Sequence, residues 1–109
     1  MRFEKKLVYT AHSHTTIDKS WQIVLFVLKK GYVPLDPFIV FPPELLDKLK
    51  LKKFERLALD MKLLDYVDEL WIFGETTYGV GKEIEWWGKH KPTVQLRYVS
   101  WKELENATR

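Results

Sequence analysis

The sequence predicts an α/β fold in which helices cover both faces of a mainly parallel sheet. Short apolar runs that suit strands alternate with segments whose apolar residues recur every three or four positions, as on one face of a helix. At 109 residues the chain is long enough for one ordinary core and too short for two, so residues 1–109 are expected to form a single domain. Strands that alternate with helices favour parallel pairing.

Four strands are predicted, and the third, at 68–73, has the clearest apolar run. The others are expected at 6–11, 32–35 and 93–96. Pro34 suits an edge strand better than a central one, because proline donates no ladder hydrogen bond.

The first helix is expected to begin near Ile17, with Thr15 or Thr16 as its cap, and to stop at Gly31. The spacing of five apolar residues predicts its inner face: Ile17, Trp21, Val24, Leu25 and Leu28.

Residues 36–43 are rich in proline and are expected to form a non-helical connection. Helices are then predicted at 44–50 and 52–66, and a short terminal helix at 101–106. The apolar stripe of the longest one is formed by Phe54, Leu57, Ala58, Met61 and Leu64.

The segment after Tyr78 is predicted to form one more helix, which would end at Gly88. Its inner residues are expected to be Val80, Ile84 and Trp87. Adjacent aromatic residues usually divide between core and surface, so Trp86 is a candidate for a contact between subunits.

Composition indicates a folded protein and excludes several classes of function. Hydrophobic residues make up 46% of the chain, and the absence of Cys excludes disulfides, thiolate catalysis and Cys-ligated metals. The formal charge of +3 is spread among acidic residues, so a nucleic acid polymer is not an expected partner. A chain rich in Lys and Glu and free of Cys is also typical of heat-tolerant proteins.

No membrane partner is expected. The longest apolar stretch, 23–28, is far shorter than the roughly 20 residues that span a bilayer. Residues 1–4 do not begin a signal peptide, which favours a cytoplasmic protein.

The candidate site residues follow the strands. In an open parallel sheet, ligands bind beyond the carboxyl ends of the strands, where the strand order reverses. The corresponding segments here are 9–16, 36–38 and 74–83, and they converge if the first and third strands are neighbours.

Glu83 is the most informative residue of these segments. Gly79 and Gly81 open its helix and let a ligand approach the free N–H groups of the first turn. The helix phase points Glu83 inward, and the helix dipole favours its ionised form. An ionised carboxylate in a pocket is able to attack an anomeric carbon and form a glycosyl ester. The alternative is that Glu83 only complements the dipole.

Asp60 is the candidate for the acid that protonates a leaving base, because it flanks the apolar stripe of its helix beside Leu64. The alternative is a surface ion pair with Arg56, four residues earlier on the same helix.

Two segments together resemble the nucleoside 2-deoxyribosyltransferase-like superfamily, which includes 2′-deoxynucleoside 5′-monophosphate N-glycosidase-like and small uncharacterised relatives. They are Arg56-x3-Asp60-x7-Asp68-Glu69-Leu70-Trp71-Ile72 and Thr77-Tyr78-Gly79-Val80-Gly81-Lys82-Glu83-Ile84. The resemblance implies a flavodoxin-like or Rossmann-like three-layer sandwich with a four- to five-stranded sheet. It further implies that Glu83 is the nucleophile, that Asp60 contacts or protonates the base, and that Tyr9 orients the nucleophile.

Substrate contacts are expected from the loops and from the glycine-rich helix start. The relatives that cleave monophosphates carry a Gly- and Ser-rich loop after the matching tyrosine, whereas residues 11–16 here differ from it. Hydroxyl groups in that loop still suit an anion. The residues predicted to bind substrate are Ser13, Thr15, Thr16, Asp36, Thr77, Gly79 and Gly81.

Three hypotheses follow for the function. The first is a hydrolase or transferase that acts on the N-glycosidic bond of a nucleoside or nucleotide by a retaining mechanism. The second is a nucleotide-binding module without catalysis, and the third is an oligomeric structural protein of the same fold. A homodimer or higher oligomer is expected, and neither a cofactor nor a metal is required. His12 and His14 lack an evident third ligand.

Overall fold

Residues 6–109, which the computed structural model describes, form four strands in one fully parallel sheet, and the α/β prediction is confirmed. The expectation about a signal peptide falls on residues 1–4, which lie outside this range. The order across the sheet is β2-β1-β3-β4. The bounds are β1 (Leu7–Ala11), β2 (Val33–Leu35), β3 (Glu69–Phe73) and β4 (Arg97–Val99).

Helices connect every pair of successive strands. A 3-10 helix, His14–Lys19, precedes the first α-helix. Within residues 6–109 the α-helices are α1 (Ser20–Lys29), α2 (Pro37–Val40), α3 (Pro43–Lys48), α4 (Lys53–Tyr66), α5 (Tyr78–His90) and α6 (Trp101–Ala107). No helix in this part of the chain is both long enough and apolar enough to cross a membrane.

Side chains of β1 and β3 alternate between two buried clusters, as the pleat of a strand requires. Val8 and Trp71 pack on one face of the sheet with Phe26 of α1 and Leu104 of α6. The opposite face packs against α4 and α5. Its buried residues are Tyr9, Ala11, Leu64, Val67, Leu70, Ile72, Val80 and Trp87. The predicted three-layer sandwich is therefore confirmed.

The fourth strand lies later than the predicted 93–96, at Arg97–Val99. The carbonyl of Val94 accepts a hydrogen bond from Nε1 of Trp87 at 3.0 Å instead of joining a ladder. Pairing with β3 begins only where Trp71 faces Arg97. Residues 93–96, which alternate between polar and apolar, therefore form a loop that packs on α5 before the strand starts.

The first helix presents a different face from the one predicted. Trp21 is 79% exposed, and the buried apolar residues are Ile23, Phe26 and Val27. Its cap also differs, because Ser13 accepts from the amide of Thr15 at the start of the 3-10 helix. The 3-10 segment shifts the helical phase that a continuous helix from Ile17 would have had.

The proline-rich segment 36–43 is not the uniform connection that was predicted. It contains α2 and the first residue of α3, and each helix has proline in its first turn, where the missing N–H costs no hydrogen bond. The helix that was predicted to end at Gly88 is α5, which continues through this glycine and ends at His90.

Lys91 sets the relative position of α4 and α5. Its ammonium donates to the carbonyl of Leu64 at 3.0 Å and to the carbonyls of Asp65 and Val67, which lie at the end of α4. These carbonyls have no partner inside the helix. The lysine that follows α5 therefore fixes the C-terminal end of α4 beside it.

Gly74 is expected to be indispensable at the end of β3. Its φ is +75°, and a Cβ there would lie 2.4 Å from the indole of Trp101. Gly74→Ala should lower the free energy of unfolding by about 2–5 kcal/mol, because backbone strain adds to overpacking. Urea denaturation measures the loss. The matched control is Gly88→Ala, where nothing lies within 4 Å and the helix should gain up to about 1 kcal/mol. Equal effects at the two sites would contradict the prediction.

Candidate active site

The candidate site lies at the carboxyl edge of the sheet, where the strand order changes direction. The chain moves from β1 to β2 on one side and then crosses to β3 on the other side of β1. The loops that follow β1 and β3 are therefore neighbours. This is the condition under which the predicted site segments were expected to converge.

Glu83 and Tyr9 form a buried pair across this position. Glu83 lies in the second turn of α5 and is 4% exposed, which confirms that its side chain points inward. Tyr9 is fully buried in β1, and its hydroxyl donates a hydrogen bond to Oε2 of Glu83. Strand and helix thus hold the carboxyl group in one orientation.

Asp60 lies on α4 and shares a cavity with Glu83. The alternative of a pair with Arg56 is contradicted, because Arg56 donates to Oδ1 of Asp47 at 2.7 Å and to the carbonyl of Leu51. Among residues 6–109, no group hydrogen-bonds to the carboxyl of Asp60. This acid is consequently directed at the cavity and not at a protein partner.

Asp36 and His12 form a second buried pair beside the site. Oδ2 of Asp36 accepts from Oγ1 of Thr10 at 2.9 Å and lies 2.8 Å from Nε2 of His12. Oδ1 accepts from the amide of Phe38, so Asp36 also caps α2. The pair joins the ends of β1 and β2.

Both ring nitrogens of His12 are engaged. The hydroxyl of Thr16 donates to the carbonyl of Ser13 at 2.6 Å, so it accepts from Nδ1 of His12. Nε2 faces the carboxylate of Asp36 at 2.8 Å. Neither nitrogen is free for proton transfer, and His12 therefore positions the wall of the cavity.

The cavity has two chambers. The inner one, of about 230 Å³, contains Glu83, and the outer one, of about 570 Å³, is lined in addition by Ile17, Phe41 and Leu46. Asp60 lines both chambers. The residues that the chambers share are His14, Pro37, Phe38, Lys53, Arg56 and Asp60.

The predicted substrate-binding residues separate into two groups. Thr77 and Gly79 line the inner chamber, whereas Gly81 does not, since its nearest side-chain neighbour is Thr76. Asp36 is buried behind His12 and does not line the cavity.

The loop hydroxyls hold their own segment together instead of facing the cavity. Oγ of Ser13 accepts from the amide of Thr15 and lies 2.9 Å from its hydroxyl, and Thr16 binds His12 and Ser13. None of the three serine and threonine residues lines either chamber.

Several residues of the cavity were not predicted as substrate contacts, among them His12, His14, Lys53 and Arg56. The histidines were weighed above all as metal ligands, whereas Lys53 and Arg56 lie on a helix whose other basic residue, Lys62, is exposed. Position on the helix was the available signal, because Lys53, Arg56 and Asp60 recur at spacings of three and four. Within the described residues, no cluster of three His, Asp or Glu side chains suits a metal ion.

Burial changes the protonation of the acids. It raises the pKa of Glu83 to about 8; the hydrogen bond from Tyr9 lowers that pKa, and the charges of Asp60 and Asp36 raise it. The expected effect of the helix dipole on Glu83 is therefore outweighed. Burial and the charge of Asp36 raise the pKa of Asp60 to about 7. Burial also raises the pKa of Tyr9 well above its ordinary value, so its hydroxyl keeps its proton.

Residues 8–97 match the model of a protein family described as a domain of unknown function, DUF7768. The chain belongs to this family. The matched range includes Tyr9, Asp60 and Glu83 and ends at the first residue of β4. No curated protein matches this DUF7768 domain.

A solved structure with the same fold is that of the CMP N-glycosidase BcmB from Clostridium botulinum. The two chains are 16% identical, the similarity covers 92% of each, and the TM-score is 0.51. At this level of identity the likeness shows the fold of the DUF7768 domain alone. The likeness thus supports the fold that the sequence resemblance implied.

The buried acid of this DUF7768 domain should make its stability fall as the pH rises. Between the ordinary pKa of 4.5 and about 8, folded Glu83 keeps a proton that the unfolded chain releases. The stabilisation is complete below the first value and is lost as the pH passes the second. Glu83→Gln should therefore gain about 2–5 kcal/mol relative to the native chain between about pH 5 and about pH 9.

Urea denaturation at a series of pH values measures this difference. The matched control is Glu85→Gln, two residues along the same helix, where the side chain is exposed and the pKa is lowered by Lys89 and Lys82. Parallel stability curves for Glu83→Gln and the native chain would show that the folded state does not hold this proton.

Proposed function

We propose that this domain breaks the N-glycosidic bond of a nucleoside or nucleotide, with Glu83 as the nucleophile and retention at the anomeric carbon. The observation that carries the proposal is the buried hydrogen bond from Tyr9 to Glu83, beside Asp60 in one cavity at the switch point of the sheet. The fold shared with a CMP N-glycosidase supports the same chemistry.

The first step joins the sugar to the protein. Tyr9 engages Oε2 of Glu83, and no described residue hydrogen-bonds to Oε1, which is left to attack C1′. As the bond from C1′ to oxygen forms, the bond from C1′ to the base nitrogen breaks, and Asp60 transfers its proton to the leaving base.

The second step releases the sugar. Asp60, now ionised, takes a proton from water or from the hydroxyl or N–H of an acceptor, whose oxygen or nitrogen attacks C1′. The ester bond to Glu83 breaks, and both acids return to their starting states. Whether water or a second base accepts the sugar decides between hydrolase and transferase.

The raised pKa values leave only a minor fraction of the domain in the state that this division of labour needs. Asp60 must be protonated and Glu83 ionised at the start, whereas burial raises the pKa of Asp60 to about 7 and that of Glu83 to about 8, so the opposite placement of the proton is the more populated one. The two groups affect each other, so the apparent values belong to the pair. A bell-shaped profile of activity with a maximum near pH 7.5 follows.

A non-catalytic nucleotide-binding module is the second candidate. It is favoured by the same pKa of about 8 for Glu83, because a protonated carboxyl at neutral pH is no nucleophile. The two functions differ in turnover and not in ligand.

Release of free base should depend on Glu83. Incubation with a panel of nucleosides and nucleoside monophosphates, followed by chromatography, is expected to show base release that falls about 10³-fold or more in Glu83→Gln and about 10²-fold or more in Asp60→Asn. Glu85→Gln is the control and should keep full activity. Ligand-dependent thermal stabilisation without base release would favour the binding module.

Tyr9→Phe should shift the pH dependence and not only the rate. Because the hydrogen bond from Tyr9 lowers the pKa of Glu83, its loss should raise that pKa. Since Glu83 must be ionised while Asp60, with the lower pKa, keeps its proton, the basic limb of the profile should move to higher pH and the maximal rate should fall. The measurement is kcat/KM over a pH series. An unmoved limb with a reduced rate would mean that Tyr9 acts only through packing.

A further inference from the structure

Two basic side chains of α4, Lys53 and Arg56, line both chambers of the cavity. Within residues 6–109 Lys53 makes no salt bridge, and Arg56 pairs with Asp47 alone, whose side chain is largely exposed. Neither cation forms a salt bridge with Asp60 or Glu83. The boundary between the chambers therefore carries two basic groups that are not paired with the acids of the cavity.

Lys53 spans the mouth of the cavity. It is the first residue of α4, and its Nζ lies 4.1 Å from the centre of the Tyr78 ring at the start of α5. A cation–π contact of this kind is weak at an exposed site. It therefore positions the ammonium and leaves its N–H donors free for another partner. The ammonium is available to an anion that enters between the two helices.

Arg56 is held more firmly. Its Nε donates to the carbonyl of Leu51 at 3.1 Å, and Nη2 donates to Asp47 at 2.7 Å. A guanidinium has five N–H donors, so further donors remain for a ligand. A fork that the protein already holds in place is well suited to a phosphate.

The dimensions of the cavity also place a ligand against these cations. The inner chamber, at about 230 Å³, is smaller than most pockets that hold a whole ligand. A molecule that fills both chambers passes Lys53 and Arg56, which line each of them. The loop hydroxyls of Ser13 and Thr15, by contrast, face each other outside the cavity.

We propose that Lys53 and Arg56 form an anion subsite that binds the phosphate of a nucleoside monophosphate. The phosphate subsite then lies on α4 and not on the loop after β1, where the sequence had placed it. The nucleoside part of the ligand rests on the proposed function, whereas the anion subsite rests on the two basic side chains.

Binding without turnover tests this assignment. The full chain carrying Glu83→Gln is titrated calorimetrically with each nucleoside, with its 5′-monophosphate and with inorganic phosphate. At least one monophosphate is expected to bind about tenfold or more tightly than its nucleoside and than inorganic phosphate, because charge-assisted hydrogen bonds are added. The preference should weaken as salt is raised.

Lys53→Met and Arg56→Met should each remove most of that preference. Lys62→Met is the control, because it removes the same charge from an exposed position of α4, and it should bind as the parent does. Loss of the preference in this control as well would make the effect one of net charge and would overturn the proposal.

The remaining outcomes are also decisive. Equal affinity for nucleoside and monophosphate, binding of inorganic phosphate as tight as that of the nucleotide, unchanged binding in both α4 variants, or no nucleotide binding at all would overturn the subsite. Because no turnover is measured, a catalytically inactive domain still gives an answer. If the domain releases base from nucleosides but not from monophosphates, the proposed function is retained and the anion subsite is rejected.

Discussion

The pairing of β1 with β3 is the constraint on which the site depends. Because Tyr9 and Leu70 are register partners, the strand that ends at Ala11 lies directly beside the strand that leads into α5. Only this neighbour relation brings the hydroxyl of Tyr9 to the carboxyl of Glu83, which lies 74 residues later in the chain. If β2 lay between β1 and β3, Tyr9 and Glu83 would each have different neighbours.

The same region concentrates buried acids, which is costly for a domain of this size. Asp36 recovers part of the cost through hydrogen bonds from Thr10 and Phe38 and through its pair with His12. Glu83 has one protein donor, and Asp60 has none among the described residues. The acids with the fewest partners are those that face the cavity, which is the usual sign of a functional site and not of a structural network.

The architecture could be predicted because apolar periodicity reports burial, and the inward position of Glu83 followed from helix phase. What failed depended on local hydrogen bonding. Trp87 takes the carbonyl of Val94 and delays β4, and the 3-10 turn rotates α1 so that Trp21 faces outward. The pairing of Arg56 with Asp47 arises from the break between α3 and α4, which helix spacing does not reveal. Oligomer formation, heat tolerance and a cytoplasmic location remain predictions.

The contact of Lys91 with the end of α4 has a mechanical consequence. It joins α4 and α5 at their C-terminal ends, whereas the cavity opens between their N-terminal ends. The two helices are therefore tied by hydrogen bonds at one end, whereas at the other end the exposed contact of Lys53 with Tyr78 joins them beside the cavity. The buried side chains of Val80 and Glu83 hold the start of α5 against the sheet, so the width of the cavity is set by the core and not by the surface contact alone.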